Sequence, residues 1–238
     1  MVTTEMMCQW LHEALEALPV VRYPFDLNVL PDNGIYFFYE EGEVWGHGGD
    51  KSRIVRVGTH RNGNFKSRMC DHFLIRRERW MEFTAKRPAP KDRSIFRKNL
   101  GRAIINSSGS GYLDTWNTDF TPRRNRDERG HLRDIGYEKE IEEEITRTLR
   151  DKFSFRYIVL DDQEERMGSG GLEARLIGTL ARCRECKPSA NWLGNSSPVR
   201  KIRESGLWVY QHVDAPGLDH SDKEKVQDII NDTLEALR

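Results

Sequence analysis

The sequence predicts an α+β fold, with a small and mostly antiparallel central sheet flanked by helices. Three observations carry this. Short β-rich runs recur at 34–40 (GIYFFYE), 53–58 (RIVRVG), 155–160 (FRYIVL) and 206–213 (GLWVYQHV). Amphipathic helical spacing fills most of the chain between and around them. The first two runs are joined by a Gly-rich turn region, EEGEVWGHGGDKS, which reads as a long-looped hairpin.

Each element has its own justification. Met7, Leu11, Ala14, Leu15 and Leu18 fall at helical spacing, so residues 4–18 are expected to form an amphipathic helix. In the second strand, alternation sets Ile54 opposite Val55 and Val57. Residues 64–82 read as a helix, 84–94 as a basic proline-containing loop, and 95–106 as another helix. The segment 107–134 is polar, rich in Gly and Arg, and has no clear period. It is expected to be a mobile insertion, with Arg123, Arg124 and Arg126 available for DNA or a dimer contact. Ile141, Ile145 and Leu149 mark the next helix, and residues 171–182 form another. The last opens with Ser221-Asp-Lys-Glu224, a capping-box pattern, and buries Val226, Ile229, Ile230, Leu234 and Leu237. The whole reads as a single domain over 1–238, with a core at about 30–213 and terminal helices packed on it.

Composition bounds the function only weakly. The 238 residues are 32% charged and 37% hydrophobic, and 6 Trp with 10 Phe argue for a folded core rather than disorder. The 38 basic residues balance 38 acidic ones, so the overall basic excess common in DNA-binding proteins is absent. Charge is segregated instead: residues 51–102 are basic, whereas 137–144 and 161–165 are acidic. No apolar stretch approaches the ~18 residues of a membrane span. The first residues lack a basic start followed by an apolar run, so no signal peptide is expected and a cytoplasmic location is the default.

The 4 cysteines, at 8, 70, 183 and 186, are too sparse for a disulfide framework. Cys183 and Cys186 form a lone CxxC. No second Cys or His pair stands at recognisable spacing, so the pair reads as two reduced cysteines near a helix end, with a zinc-stabilised scaffold as the weaker alternative.

Two segments carry the chemistry. On the helix after the second strand, Phe65, Met69 and Phe73 form an apolar stripe, with Arg68 and His72 as i,i+4 neighbours at its edge. An Arg there suits a phosphate, because its planar fork stays charged and binds bidentately. The bland alternative is a solvated surface pair. In 171–182, with Leu172 at zero on the helical wheel, Leu176, Leu180 and Ile177 fall within about 140°. Glu173 lies inside that apolar arc, where a carboxylate is costly unless paired or bound to metal. The alternative is a boundary Glu paired to an Arg.

The order of these residues resembles the GIY-YIG nuclease superfamily. Gly34-Ile35-Tyr36 stands at its first strand motif. Asn64, Phe65, Arg68 and His72 match its helix pattern N-[FL]-x-x-R-x-x-x-[HY]. Glu173 matches the late-helix Glu, and the resemblance spans about residues 34–73 and 155–192. It implies a GIY-YIG-like α/β/α sandwich and a metal-dependent DNA endonuclease, of restriction, mobile-element or defence type, using Mg²⁺ or Mn²⁺. By that resemblance Glu173 is the metal ligand, and Tyr36, Arg68, His72, His60 and Asn191 are the catalytic candidates, with Asn195 as runner-up to Asn191. Arg56, Gly58 and Lys66 are the candidate substrate-binding positions. A restriction-type role would favour a homodimer, since two-fold sites invite two-fold proteins. The chain departs from the pattern at the second motif, where Arg56-Val57-Gly58 carries no tyrosine. Three readings follow: Tyr36 serves as base, His60 takes over, or the fold is degenerate and binds nucleic acid or protein without cutting.

Overall fold

The computed structural model describes residues 3–238. Among these, four strands, β1 (Val21–Arg22), β2 (Ile35–Val44), β3 (Ser52–Gly58) and β4 (Phe153–Ile158), form one sheet in the order β1-β4-β2-β3. Every pairing is antiparallel. The helices are α1 (Thr4–Leu15), α2 (Phe65–Phe73), α3 (Ile95–Ser107), α4 (Leu113–Asn117), α5 (Arg123–Arg129), α6 (Ile135–Lys152), α7 (Gln163–Arg166), α8 (Leu172–Arg182), α9 (Arg200–Ser205) and α10 (His220–Ala236).

The strand β2 explains the layering. Its side chains alternate, as a period of two requires. Ile35, Phe37 and Tyr39 enter a core shared with α1, α8 and α10. Tyr36 and Phe38 enter the opposite core, shared with α2, α3 and α6. Both faces are covered, so β2 is buried from Ile35 through Glu40. Full burial of each large apolar side chain stabilises by roughly 1.5–3 kcal/mol, and the aromatic content of the sequence is spent here.

The structure corrects several expectations. The residues 206–213 form no strand. Gly206 and His212 take left-handed backbone conformations (φ 70° and 61°), and the segment meets the β3 edge through Trp208 N–H donating to the Val55 carbonyl at 2.7 Å. The fourth strand is the two-residue β1, too short to show a period. Strand β4 starts and ends two residues earlier than the apolar run suggests.

The expected helix over 64–82 stops at Phe73, because Leu74 and Arg76 adopt positive φ (54° and 55°). Arg side chains satisfy its exposed carbonyls: Arg97 Nη1 donates to His72 O at 2.9 Å, and Arg150 Nε to Phe73 O at 3.0 Å. Likewise α1 ends at Leu15 rather than 18. Helix α10 is capped two residues earlier than Ser221 suggests, by a capping box of Asp219 and Asp222.

The segment 107–134 carries α4 and α5 rather than irregular chain. Trp116 is fully buried on Gly101, where an added Cβ would lie 2.1 Å from the indole. Its Nε1–H donates to the Lys98 carbonyl at 3.0 Å. Period analysis misses this because α4 and α5 are each two turns or fewer.

Alternation along β3 is also broken. Ile54 and Val57 share one core and Val55 lies in the other. The register runs Phe38↔Arg56 and then Tyr39↔Ile54, skipping Val55. This β-bulge re-aims the side chains that follow it, and it turns Arg56 towards the core that holds Tyr36.

Candidate active site

The candidate site sits where β2 begins and β3 ends. Tyr36 and Gly58 are register partners there. Gly34 is required by packing, since a Cβ would lie 2.3 Å from the Ile158 carbonyl of β4. After Gly58 the chain turns through Thr59–Asn64 into α2, whose apolar stripe of Phe65, Met69 and Phe73 is fully buried.

Tyr36 is 1% exposed. Its hydroxyl lies 3.4 Å from His72 Nε2, and His72 Nδ1 lies 2.8 Å from the Ser94 hydroxyl. Burial holds His72 well below the ordinary imidazole range, and the cationic Arg68, Arg56 and Arg97 push the same way. The ring is therefore neutral near pH 7, as a polar group in an apolar site must be unless paired with an anion.

Arg56 occupies the second-motif position. Its Nη1 donates to Trp208 O at 2.5 Å, and its guanidinium stacks 4.8 Å from the Phe96 ring centroid. Burial pulls its pKa down, while Tyr36 and Glu173 nearby hold the charge. An arginine cannot act as a proton acceptor at neutral pH.

Glu173 is in the first turn of α8 and is half-buried. Its Oε1 accepts the Thr59 backbone N–H at 3.0 Å, which ties the helix to the end of β3. Among the described residues, Oε2 accepts no hydrogen bond. Burial pushes the Glu173 carboxyl up from its ordinary value, against the pull of Arg56, the Thr59 N–H and Arg166.

His60 is 4% exposed. Its Nδ1 lies 2.6 Å from the Arg61 carbonyl, an acceptor only, so Nδ1 carries the proton and Nε2 the lone pair. That Nε2 is buried without a partner among the described residues. Burial lowers the His60 pKa, and the charges of Arg166 and Arg68 lower it further. Arg68 is 27% exposed along its side chain. Only its Nη1 is engaged, with Asp71 at 3.2 Å and the Arg93 carbonyl at 3.0 Å. The other donors of the fork stay free among the described residues.

Tyr36, His72, Arg56, Gly58, His60, Arg68 and Glu173 are thus brought together. Lys66 forms an exposed ion pair with Asp32 at 3.1 Å, a contact worth little. Asn191 is not brought to the cluster. It lines a separate cleft with Glu40, Glu43 and Glu144, at the far end of β2, roughly 13–23 Å along the strand from Tyr36. Asn195 ties its own loop, donating to Ser189 O and Ala190 O at 2.9 and 3.1 Å.

Sequence reading misses two residues that build the site. Thr59 supplies the N–H for Glu173, and its hydroxyl donates to Gly34 O at 2.9 Å. Arg166 is fully buried and braces the loop after β3, donating to Thr59 Oγ1 at 3.0 Å, His60 O at 2.8 Å and Asn62 Oδ1 at 2.6 Å. In the sequence it stands directly after the acidic run 161–165, with nothing beside it to mark a buried cation.

A model of the family described as GIY-YIG domain matches residues 22–236. The chain belongs to the GIY-YIG family. No curated protein and no solved structure matches it. GIY-YIG domains are nuclease-type hydrolases that generally use divalent metals. The antiparallel sheet between two helical layers agrees with this GIY-YIG membership. No helix among the described residues is long and apolar enough to cross a membrane.

Proposed function

We propose that this GIY-YIG domain is a metal-dependent endonuclease that hydrolyses DNA phosphodiester bonds, with Glu173 as its metal ligand. The observation that carries the reading is the Glu173 carboxylate: half-buried, fixed through Oε1 by Thr59, with Oε2 uncommitted. One carboxylate, completed by water and substrate phosphate, suits a Mg²⁺ or Mn²⁺ site. No cluster of three acidic or imidazole groups forms around it among the described residues, which favours one metal over two. When bound, the ion supplies positive charge against the scissile phosphate and the leaving oxygen.

The chain's own residues do the rest. Arg68, with free donors on its fork, binds and neutralises the phosphoryl oxygens. The unpartnered lone pair of His60 Nε2 is the best proton acceptor for the attacking water. The Tyr36 hydroxyl is already engaged with His72 and acts by positioning, through that contact. Arg56 holds the Tyr36 side of the site in place of a tyrosine and moves no proton.

A second reading, a degenerate domain that binds nucleic acid without cutting, is favoured by Arg56 at the second motif. A cleavage assay on supercoiled plasmid with Mg²⁺, Mn²⁺ or EDTA, wild type beside Glu173→Gln, separates the two. Metal-dependent nicking lost in the variant supports the nuclease. DNA retention with no cutting in either protein supports the binder.

A further inference from the structure

Away from the candidate active site, four sulfur and nitrogen ligands converge. The side chains of Cys8, His47, Cys183 and Cys186 place their ligand atoms within 4.8 Å of one another. They come from three separate elements: α1, the loop between β2 and β3, and the turn that follows α8. From this convergence we infer that the protein holds a structural zinc ion in a closed Cys₃His site.

Two of the ligand–ligand edges have the lengths of a tetrahedral zinc site. With Zn–S near 2.3 Å and Zn–N near 2.0–2.1 Å, a regular site has S···S edges of about 3.8 Å and S···N edges of about 3.6 Å. The Cys8 and Cys186 sulfurs stand 3.8 Å apart, and Cys183 Sγ lies 3.5 Å from His47 Nε2. A disulfide would need about 2.05 Å, and all four cysteines of the chain are free.

The surroundings match a zinc site as well. His47 Nδ1 lies 2.7 Å from the Glu185 carboxylate, so Nδ1–H donates to that carboxylate and Nε2 faces the sulfurs with its lone pair. This carboxylate–imidazole arrangement is the usual support of a metal-bound histidine. The sulfurs receive backbone donors: Gly46 N–H to Cys186 Sγ at 3.4 Å and Cys186 N–H to Cys183 Sγ at 3.5 Å. Gly46 is needed for this approach, since a Cβ there would lie 1.8 Å from the Glu185 carbonyl.

His12, the neighbouring imidazole, is excluded as a ligand by its own bonds. Its Nδ1 lies 2.9 Å from Cys8 O, and its Nε2 accepts the Ile54 N–H at 3.1 Å. It orients the α1 end of the site instead.

The lone CxxC of the sequence thus gains its missing half from residues far away in the chain. Four protein ligands leave no open position, so the site is structural rather than catalytic. It pins α1 and the β2–β3 loop to the C-terminal end of α8, whose first turn carries Glu173.

The test is metal analysis of the full chain, purified under reducing conditions from zinc-supplied cells. About one zinc per chain is expected by elemental mass spectrometry. Cys183→Ser and His47→Ala should retain less than about a tenth of that, while Cys70→Ser, whose thiol lies elsewhere, keeps it. Should a variant fail to fold, wild type alone decides: after exchange with Co²⁺, the intense visible bands of tetrahedral cobalt and a thiolate charge-transfer band are expected. A zinc-free wild-type chain, a Cys8–Cys186 disulfide in peptide mapping, or cobalt spectra without thiolate bands would each overturn the assignment. None of these readouts depends on nuclease activity, so failure here and failure of the nuclease reading are distinguishable.

Discussion

The ring of Tyr36 lies across the α-carbon of Gly58, its register partner on β3. A Cβ at Gly58 would come within 2.5 Å of the Tyr36 Cε2 and hydroxyl oxygen. The glycine serves a close approach rather than an unusual backbone angle, and it lets the hydroxyl reach His72. The Gly58→Ala variant should therefore lose about 1–3 kcal/mol of stability, the usual cost of overpacking, and lose cleavage with it. Tyr36→Phe keeps the ring and should retain most of the stability. Urea unfolding of both variants tests this; a Gly58→Ala protein as stable as wild type would show that the ring moves aside freely.

The same pair shows what the sequence does and does not make legible. Gly34, Tyr36, Gly58, Arg68 and Glu173 stand in an order that reads as one site, and strand and helix periods locate them. The bulge at Val55 has no local signal, so the direction of Arg56 is invisible until Phe38 and Tyr39 show their partners. Arg166 is equally hidden, because its acceptors are mostly backbone and Asn oxygens distant in the chain. The cysteine cluster fails for a related reason. Cys8 and Cys186 are 178 residues apart, and ligand-spacing rules look for pairs that are close in sequence. Period analysis finds long elements facing one core; it does not find contacts made by chain folding back across the sheet.

Glu173 should show opposite effects on stability and function. Burial raises its pKa, so the ionised form at pH 7 is held at some cost to folding. Glu173→Gln keeps an acceptor for the Thr59 N–H and removes the charge. We expect a protein at least as stable as wild type at pH 7 that no longer cuts plasmid in Mg²⁺. Thermal unfolding beside the cleavage assay reads both. Undiminished cutting would remove Glu173 from the metal site, and a large fall in Tm would make it a structural anchor instead.

His72 gives a pH dependence of known sign. Its folded pKa is depressed, so the unfolded chain binds the proton that the folded chain refuses. Its contribution is present above the unfolded value of about 6.5 and is lost as pH falls from there towards the depressed folded value. The slope is up to about 1.4 kcal/mol per pH unit for one such group. Urea midpoints measured from pH 7.5 down to 5 should fall more steeply for wild type than for His72→Gln. Parallel curves would mean that His72 protonates in place.

Arg68 is where binding and turnover should part. Its guanidinium is anchored at one nitrogen by Asp71 and the Arg93 carbonyl, so it is held in place before substrate arrives. A cation fixed in this way matters most where negative charge builds on the phosphoryl group, in the transition state rather than in the bound ground state. Arg68→Ala should lower the single-turnover cleavage rate by roughly 10²–10³, the scale seen when one charge-stabilising donor is removed, while DNA affinity falls by less than about tenfold. Lys66→Ala, which removes an exposed cation from the same helix, should instead weaken binding modestly, with a smaller salt dependence and an unchanged rate at saturation. Equal losses of rate and affinity in Arg68→Ala would recast it as a docking residue, and the charge on the scissile phosphate would then have to be met by the metal alone.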